Sequence, residues 1–194
     1  MGNRKHILML IVLALAAGCR PLAEPRIRIQ TGLGDIVLAL NSERAPVTVA
    51  NFMRYVDEGK FKHASFYRVV HEHNQPDDSV RIAVIQGGLW YSRSDTLYPA
   101  IEHETTRETG IRHLDGTISM ARSEPGTATA EFFICVGDMP ELDFGGRRNP
   151  DGQGFAAFGR VIEGMDIVRL ILRQPAEGQA LAPRIVIHNI VRMD

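Results

Sequence analysis

Cysteine and tryptophan are nearly missing: two of the first and one of the second in 194 residues. Two cysteines cannot build the disulfide framework that staples small secreted domains. Neither sign of charge is in excess, since 22 Lys and Arg face 23 Asp and Glu for a formal net charge of −1. Without a basic surplus there is little to neutralise phosphates, which argues against a nucleic-acid partner. No repeat of fixed period is visible. No apolar run reaches a membrane span either: the stretch at 7–17, at about 1.5 Å per residue, crosses only half of a hydrocarbon core. What is present is ordinary globular usage, 44% hydrophobic and 23% charged. That excludes a disordered, collagen-like or polytopic membrane protein and leaves room for one sizeable core.

The N-terminus is an address. Arg4 and Lys5 precede the apolar run, and Leu15-Ala16-Ala17-Gly18-Cys19 closes it. A basic start, a short apolar stretch and small residues mark a secretory signal over 1–18. Its end resembles the lipobox of bacterial lipoproteins, although Ala16 stands where Leu is usual. The resemblance implies acylation of Cys19, whose several chains make a stable anchor. Arg20, not Asp, follows the Cys, which implies the outer membrane if the source is Gram-negative. The rival is cleavage after Ala16 and a soluble periplasmic protein. Residues 19–25 form a tether and 26–194 the folded domain, expected to be a monomer. Cys135, inside an apolar run, is expected to be a buried thiol.

Residues 26–31 and 35–40 alternate apolar and polar around Gly32-Leu33-Gly34, a hairpin signal. Val49, Phe52, Met53 and Val56 follow Pro46 at helical spacing, and Gly59 stops them. Further strands are expected at 65–70, 80–86, 117–121, 131–136, 155–161 and 184–192, with a second helix over 164–173 carrying Ile167, Leu170 and Ile171 on one side. Strands and helices do not alternate regularly, so a parallel α/β sheet is not expected. The economical solution is all-β: a closed eight-stranded antiparallel barrel capped by two α-helices, since closure removes edges.

Most familiar chemistries lack their residues. There is no Gly-x-Ser-x-Gly for a hydrolase. His71-Glu72-His73 and Glu102-His103-Glu104 lack zinc-helix spacing, and Asn149-Pro150-Asp151-Gly152 lacks the EF-hand pattern, so no metal site is expected. What stands out is a series of polar or aromatic side chains set in apolar strands: Phe66-Tyr67-Arg68-Val69-Val70, Gln86-Gly87-Gly88, Ser119-Met120-Ala121, Glu131-Phe132-Phe133-Ile134, Leu142-Asp143 and Phe158-Gly159-Arg160-Val161. Six such segments, in this order over 26–194, resemble the cyclophilin family of peptidyl-prolyl cis-trans isomerases.

That resemblance implies an enzyme that accelerates rotation about X-Pro bonds in polypeptide clients, with no metal, nucleophile or cofactor. It implies Arg68 as the catalytic donor. It places Gln86 on the substrate backbone, Phe133 and Leu142 around the proline ring, and Phe66, Met120, Ala121, Glu131 and Phe155 among the substrate contacts. Several positions depart from the family. Ala83 stands where the pocket aromatic is usual and Val84 where Met is. Glu131 replaces Gln, Phe155 replaces the pocket His, and Glu141 replaces the Trp of cyclosporin-sensitive members, which implies weak cyclosporin binding. Residues 71–82 are an insertion. The changed wall keeps a second reading open, a weakly active or inactive barrel that serves as a binding or scaffold module at the envelope. A hollow lipocalin-like ligand carrier is the third, and the Phe and Ile load of the strands argues against it.

Overall fold

The hairpin that opens the domain shows how the barrel is made. β1 (Arg26–Thr31) and β2 (Gly34–Leu40) pair from Arg26↔Ala39 to Thr31↔Gly34, and the Thr31 hydroxyl ties the turn by donating to the Gly34 carbonyl at 2.7 Å. Ile27, Ile29, Ile36, Leu38 and Leu40 all point inward and are fully buried. The computed structural model describes residues 24–193 apart from 63, 77–78 and 91–96. The expected signal sequence at 1–18, Cys19 and most of the expected tether therefore lie outside the described residues.

The remaining strands are β3 (Ser65–Val70), β4 (Val84–Gly88), β5 (Thr117–Met120), β6 (Phe132–Cys135), β7 (Ala156–Glu163), β8 (Ala176–Glu177) and β9 (Ala180–Met193). They run in the order β1-β2-β7-β5-β6-β4-β3-β9, every pair antiparallel, and β1 also pairs with β9. The sheet thus closes on itself as the expected eight-stranded barrel, with two-residue β8 added as a short hairpin arm on β9.

Helix α1 (Pro46–Asp57) begins with proline at its first turn, where the missing N–H costs nothing. It buries Val49, Phe52, Met53 and Val56, as the spacing predicts. Its N-terminus is held from afar: Glu104 accepts from the Val47 and Thr48 backbone N–H groups and from the Thr48 hydroxyl. A carboxylate there satisfies orphan donors and the helix dipole together. Glu104 is therefore a helix cap.

A four-residue helix, α2 (Thr106–Thr109), interrupts the loop that follows β4; it is too short to leave a periodic signal. The second end helix, α3 (Met165–Leu172), turns Val168 and Ile171 into the core, so its buried face centres on Val168 and not on Leu170. It starts at Gly164 with φ +86°, where any Cβ would lie 2.3 Å from the Asp35 carbonyl oxygen.

Two apolar clusters result. One fills the barrel. The other lies on its outer wall and joins Val70, Ile82, Val84, Phe133, Cys135 and Leu142, with Ala121, Met139 and Phe155 packed against it. Strict alternation separates them: on β6, Phe132 and Ile134 point in while Phe133 and Cys135 point out.

Candidate functional site

On β3 the alternation is broken, and the break makes the site. Ser65, Phe66 and Arg68 pair with Gly88, Gly87 and Gln86, so Tyr67 is an extra residue opposite none, and the pairing with β9 shifts at the same place. Such a bulge resets the phase of a strand. Phe66 and Val69 stay inside, while Tyr67 and Arg68 both face the outer wall and meet Gln86.

The Arg68 guanidinium is gripped along two edges. Its Nη1 donates to Gln86 Oε1 at 2.7 Å, and its Nε and Nη2 donate to Gln179 Oε1 at 2.9 and 2.5 Å. Gln179 sits in the turn between β8 and β9. Its own Nε2 donates to the Asn74 carbonyl, and the Asn74 side chain donates to the carbonyls of Val69 and Gly178. The segment that follows β3 therefore braces the turn that orients Arg68. Both amide oxygens direct the cation without neutralising it.

Arg68 and Gln86 rim a pocket of about 240 Å³ floored by the outer cluster: Ile82, Val84, Ala121, Phe133, Leu142 and Phe155. Phe133 is fixed on both sides. Its ring stacks on His113, centroids 5.9 Å apart and 14° from parallel, and meets Phe155 edge-on at 5.3 Å. His113 is in turn held by Asp143 at 2.8 Å and by the Ser119 hydroxyl at 2.9 Å. Burial pushes the Asp143 carboxyl up, but the hydrogen bonds from His113 and Arg112 outweigh it and hold it below the usual carboxylate range. Ser, His and Asp in line have the composition of a hydrolytic triad. Ser119 is 0% exposed, however, so no substrate carbonyl reaches it, and the chain serves to orient Phe133.

The opposite wall is Arg122, whose buried guanidinium makes a two-pronged contact with Asp151 at 2.8 and 3.0 Å, donates to the Gly154 carbonyl and lies 5.2 Å from the Phe155 ring centre. The carboxylate of the 149–152 loop is thus engaged by an arginine.

Beyond Gln86, a network reaches Glu131. Gln86 Nε2 donates to the Tyr67 hydroxyl, which donates to Glu131 Oε2 at 2.6 Å, and Glu131 Oε1 accepts from the Leu89 N–H at 2.7 Å. Burial and the nearby Glu131 carboxylate push the Tyr67 phenol up, so it stays a neutral donor. Two glycines make room: a Cβ on Gly88, at φ +143°, would come within 2.6 Å of Glu131 Oε2, and one on Gly87 within 2.9 Å of the Ser65 carbonyl oxygen.

Burial is the main influence on the Glu131 carboxyl and raises it above the ordinary range, despite hydrogen bonds from Tyr67 and the Leu89 and Trp90 N–H groups. With the folded pKa above the unfolded one, its contribution to stability is fully present below the unfolded pKa. That contribution is lost as pH rises through the folded value. The Tm of the native protein, relative to a Glu131→Gln variant, is therefore expected to improve between about pH 7 and about pH 4. Calorimetric scans of both proteins at the two pH values check this, and a constant difference counts against it.

Of the residues singled out in the sequence, Arg68, Gln86, Ala121, Phe133, Leu142 and Phe155 converge on one pocket, and Glu131 lies in the adjoining groove. Phe66 and Met120 do not. Both are in the barrel interior, Phe66 at 0% and Met120 at 1% exposure, because each falls on the inward side of its strand. Ala83 lies off the pocket lining. Ile82, from the insertion, supplies apolar wall there and is pinned at both backbone groups by the buried Gln75. Glu141 is turned away to an exposed pair with Arg147. Missed in the sequence were Ile82, Arg122, Arg148 and Asn149 of the lining, and Gln179 behind Arg68.

Known proteins resemble this chain. The family model for cyclophilin type peptidyl-prolyl cis-trans isomerases matches residues 26–192. Peptidyl-prolyl cis-trans isomerase A of Dickeya dadantii is 34% identical over 183 residues, covering 91% of this chain and 88% of that protein. A peptidyl-prolyl cis-trans isomerase of Streptomyces antibioticus is 38% identical over 149 residues, covering 75% and 81%. Among solved structures, a Cryptosporidium parvum cyclophilin type isomerase determined in the presence of the dipeptide Ala-Pro superposes with a TM-score of 0.70 at 21% identity, covering 87% of this chain and 99% of that one. This last likeness is one of fold.

Proposed function

The chain belongs to the cyclophilin-type peptidyl-prolyl cis-trans isomerase family, and from that premise we propose that Arg68 carries its reaction. It is an isomerase whose substrates are proline-containing peptides. The barrier it must lower, about 18–20 kcal/mol, comes from resonance between the amide nitrogen and its carbonyl. In the twisted transition state that resonance is lost and the prolyl nitrogen regains a lone pair. A fixed cationic donor aimed at this nitrogen binds the twisted state more tightly than either planar one, which is all that catalysis needs here. A hundred-thousandfold acceleration corresponds to about 7 kcal/mol.

The observation that carries the reading is the placement of the Arg68 guanidinium at the rim of the pocket lined by Phe133, Leu142 and Phe155. The proline ring would sit on this apolar floor, with Gln86 binding the client backbone. Arginine suits the donor role because it stays charged and its planar fork is rigid. Exchange NMR on an Ala-Pro peptide tests the proposal. Catalysed exchange that depends on Arg68 supports it, and peptide binding without catalysis would mean the scaffold reading instead.

We also propose that Cys19 is acylated and tethers the domain to the envelope, on the strength of the lipobox-like 15–19 segment. A Cys19→Ser variant is then expected to move from the membrane fraction to the soluble periplasmic fraction. Unchanged fractionation would count against the anchor.

A further inference from the structure

Trp90 is the only tryptophan of the chain and, among the described residues, the most exposed large hydrophobic side chain, at 68%. It is not loosely held. Its indole stacks on the Tyr67 ring, with centroids 6.3 Å apart and planes 25° from parallel. Tyr67 is the bulge residue, anchored by Glu131 and Gln86 in the network that also grips Arg68. An aromatic pair so fixed, with the outer ring left to solvent, presents a flat, oriented stacking face.

The pair walls a concavity of about 410 Å³, completed by Arg68, Gln86, Gln179 and Ala180. Arg68 and Gln86 also rim the proline pocket, so the two hollows adjoin across one guanidinium. Because the hollows share Arg68 and Gln86 and an extended chain advances only about 3.3–3.6 Å per residue, a client whose proline fills one hollow presents the other with a side chain close in sequence to that proline.

We propose that this concavity is a second substrate subsite, one that selects an aromatic side chain within two residues of the client's proline. Two aromatic rings, two amides and a methyl offer flat stacking surface and no carboxylate. A client ring there would lie on the indole and beside the Arg68 cation, both favourable contacts for a π face. A client carboxylate would instead pair with Arg68 and draw off the charge the reaction uses. The inference rests on the reading of Arg68 and its pocket as the isomerisation site.

The experiment is a series of Ala-based peptides around one proline, with Phe, Ala or Glu at each of the two positions before and the two positions after that proline, assayed by exchange NMR. One Phe-flanked peptide is expected to exceed its Ala counterpart about tenfold in kcat/KM, through KM, and to shift the emission of Trp90, the sole indole in the mixture. Trp90→Phe keeps the preference; Trp90→Ala reduces it below about twofold. Native protein that turns over Phe- and Ala-flanked peptides equally overturns the subsite alone, as does a preference that survives Trp90→Ala. Native protein inert toward every peptide overturns the underlying reading of the site. Because the peptide comparison on the native protein stands without any variant, a poorly folding Trp90→Ala does not remove the test.

Discussion

An Arg68→Ala protein is expected to fold normally and to lose at least tenfold in kcat/KM on an Ala-Pro peptide, about 1.4 kcal/mol or more of transition-state stabilisation. The loss should lie nearer a hundredfold, because removing one fixed donor from a preorganised site typically costs about 10²–10³. Folding is spared because Arg68 faces the outer wall and the barrel core closes behind it with Phe66 and Val69. Lysine should not rescue the activity. Its ammonium is a compact charge on a flexible stem, and it cannot be gripped on two edges as Gln86 and Gln179 grip the guanidinium. Gln179→Ala gives an internal control. Arg68 then keeps Gln86 but loses both bonds along its Nε edge, while the proline pocket, which Gln179 does not line, is untouched. The expected signature is a fall in kcat of several-fold with KM unchanged. Line-shape analysis of exchange spectra measures all three variants; a folded Arg68→Ala protein with native kcat/KM would reject the assignment.

The architecture was legible because barrel strands write their burial into the sequence at period two. Ile27 and Ile29, then Ile36, Leu38 and Leu40, announce a hairpin by their spacing alone, and Val49, Phe52, Met53 and Val56 announce a helix. Strand ends were less legible where the chain is held by distant groups. β4 starts at Val84 and not at 80, because Gln75 and Arg148 hold the carbonyls of Ile82 and Val80 in the insertion, outside the sheet. The site was legible as residue types and illegible as geometry. Nothing local marks Tyr67 as a bulge, so alternation alone would send Arg68 into the barrel. The family resemblance implies Phe66 and Met120 as substrate contacts, yet each falls on the inward side of its strand, where side chains alternate in facing. Gln179 lies 111 residues from the arginine it orients, and a hydrogen bond across that separation leaves no trace in composition or period.

The same alternation yields a second large effect, one that separates stability from activity at two adjacent phenylalanines. Phe132 is fully buried and stands edge-on to Phe52, Phe61 and Phe66, with centroids 5.5, 5.9 and 5.8 Å away. It thereby ties α1 and β3 to β6. Phe132→Ala empties a dry, closely packed interior and is expected to cost about 3–5 kcal/mol. Against the roughly 5–15 kcal/mol that a typical domain has in total, that is enough to bring it near its threshold. Phe133, one residue on, faces the outer wall between His113 and Phe155. Its truncation enlarges a hollow already open to the surface, where water can take up the space, so the loss of stability should be smaller. The loss of affinity should be the larger one, since the ring is the floor on which the client proline would rest. Urea titration of both variants, read beside KM on the Ala-Pro peptide, gives the two quantities. Equal stability losses, or a native KM in Phe133→Ala, would mean that the inside and outside of this strand do not divide the work as its alternation implies.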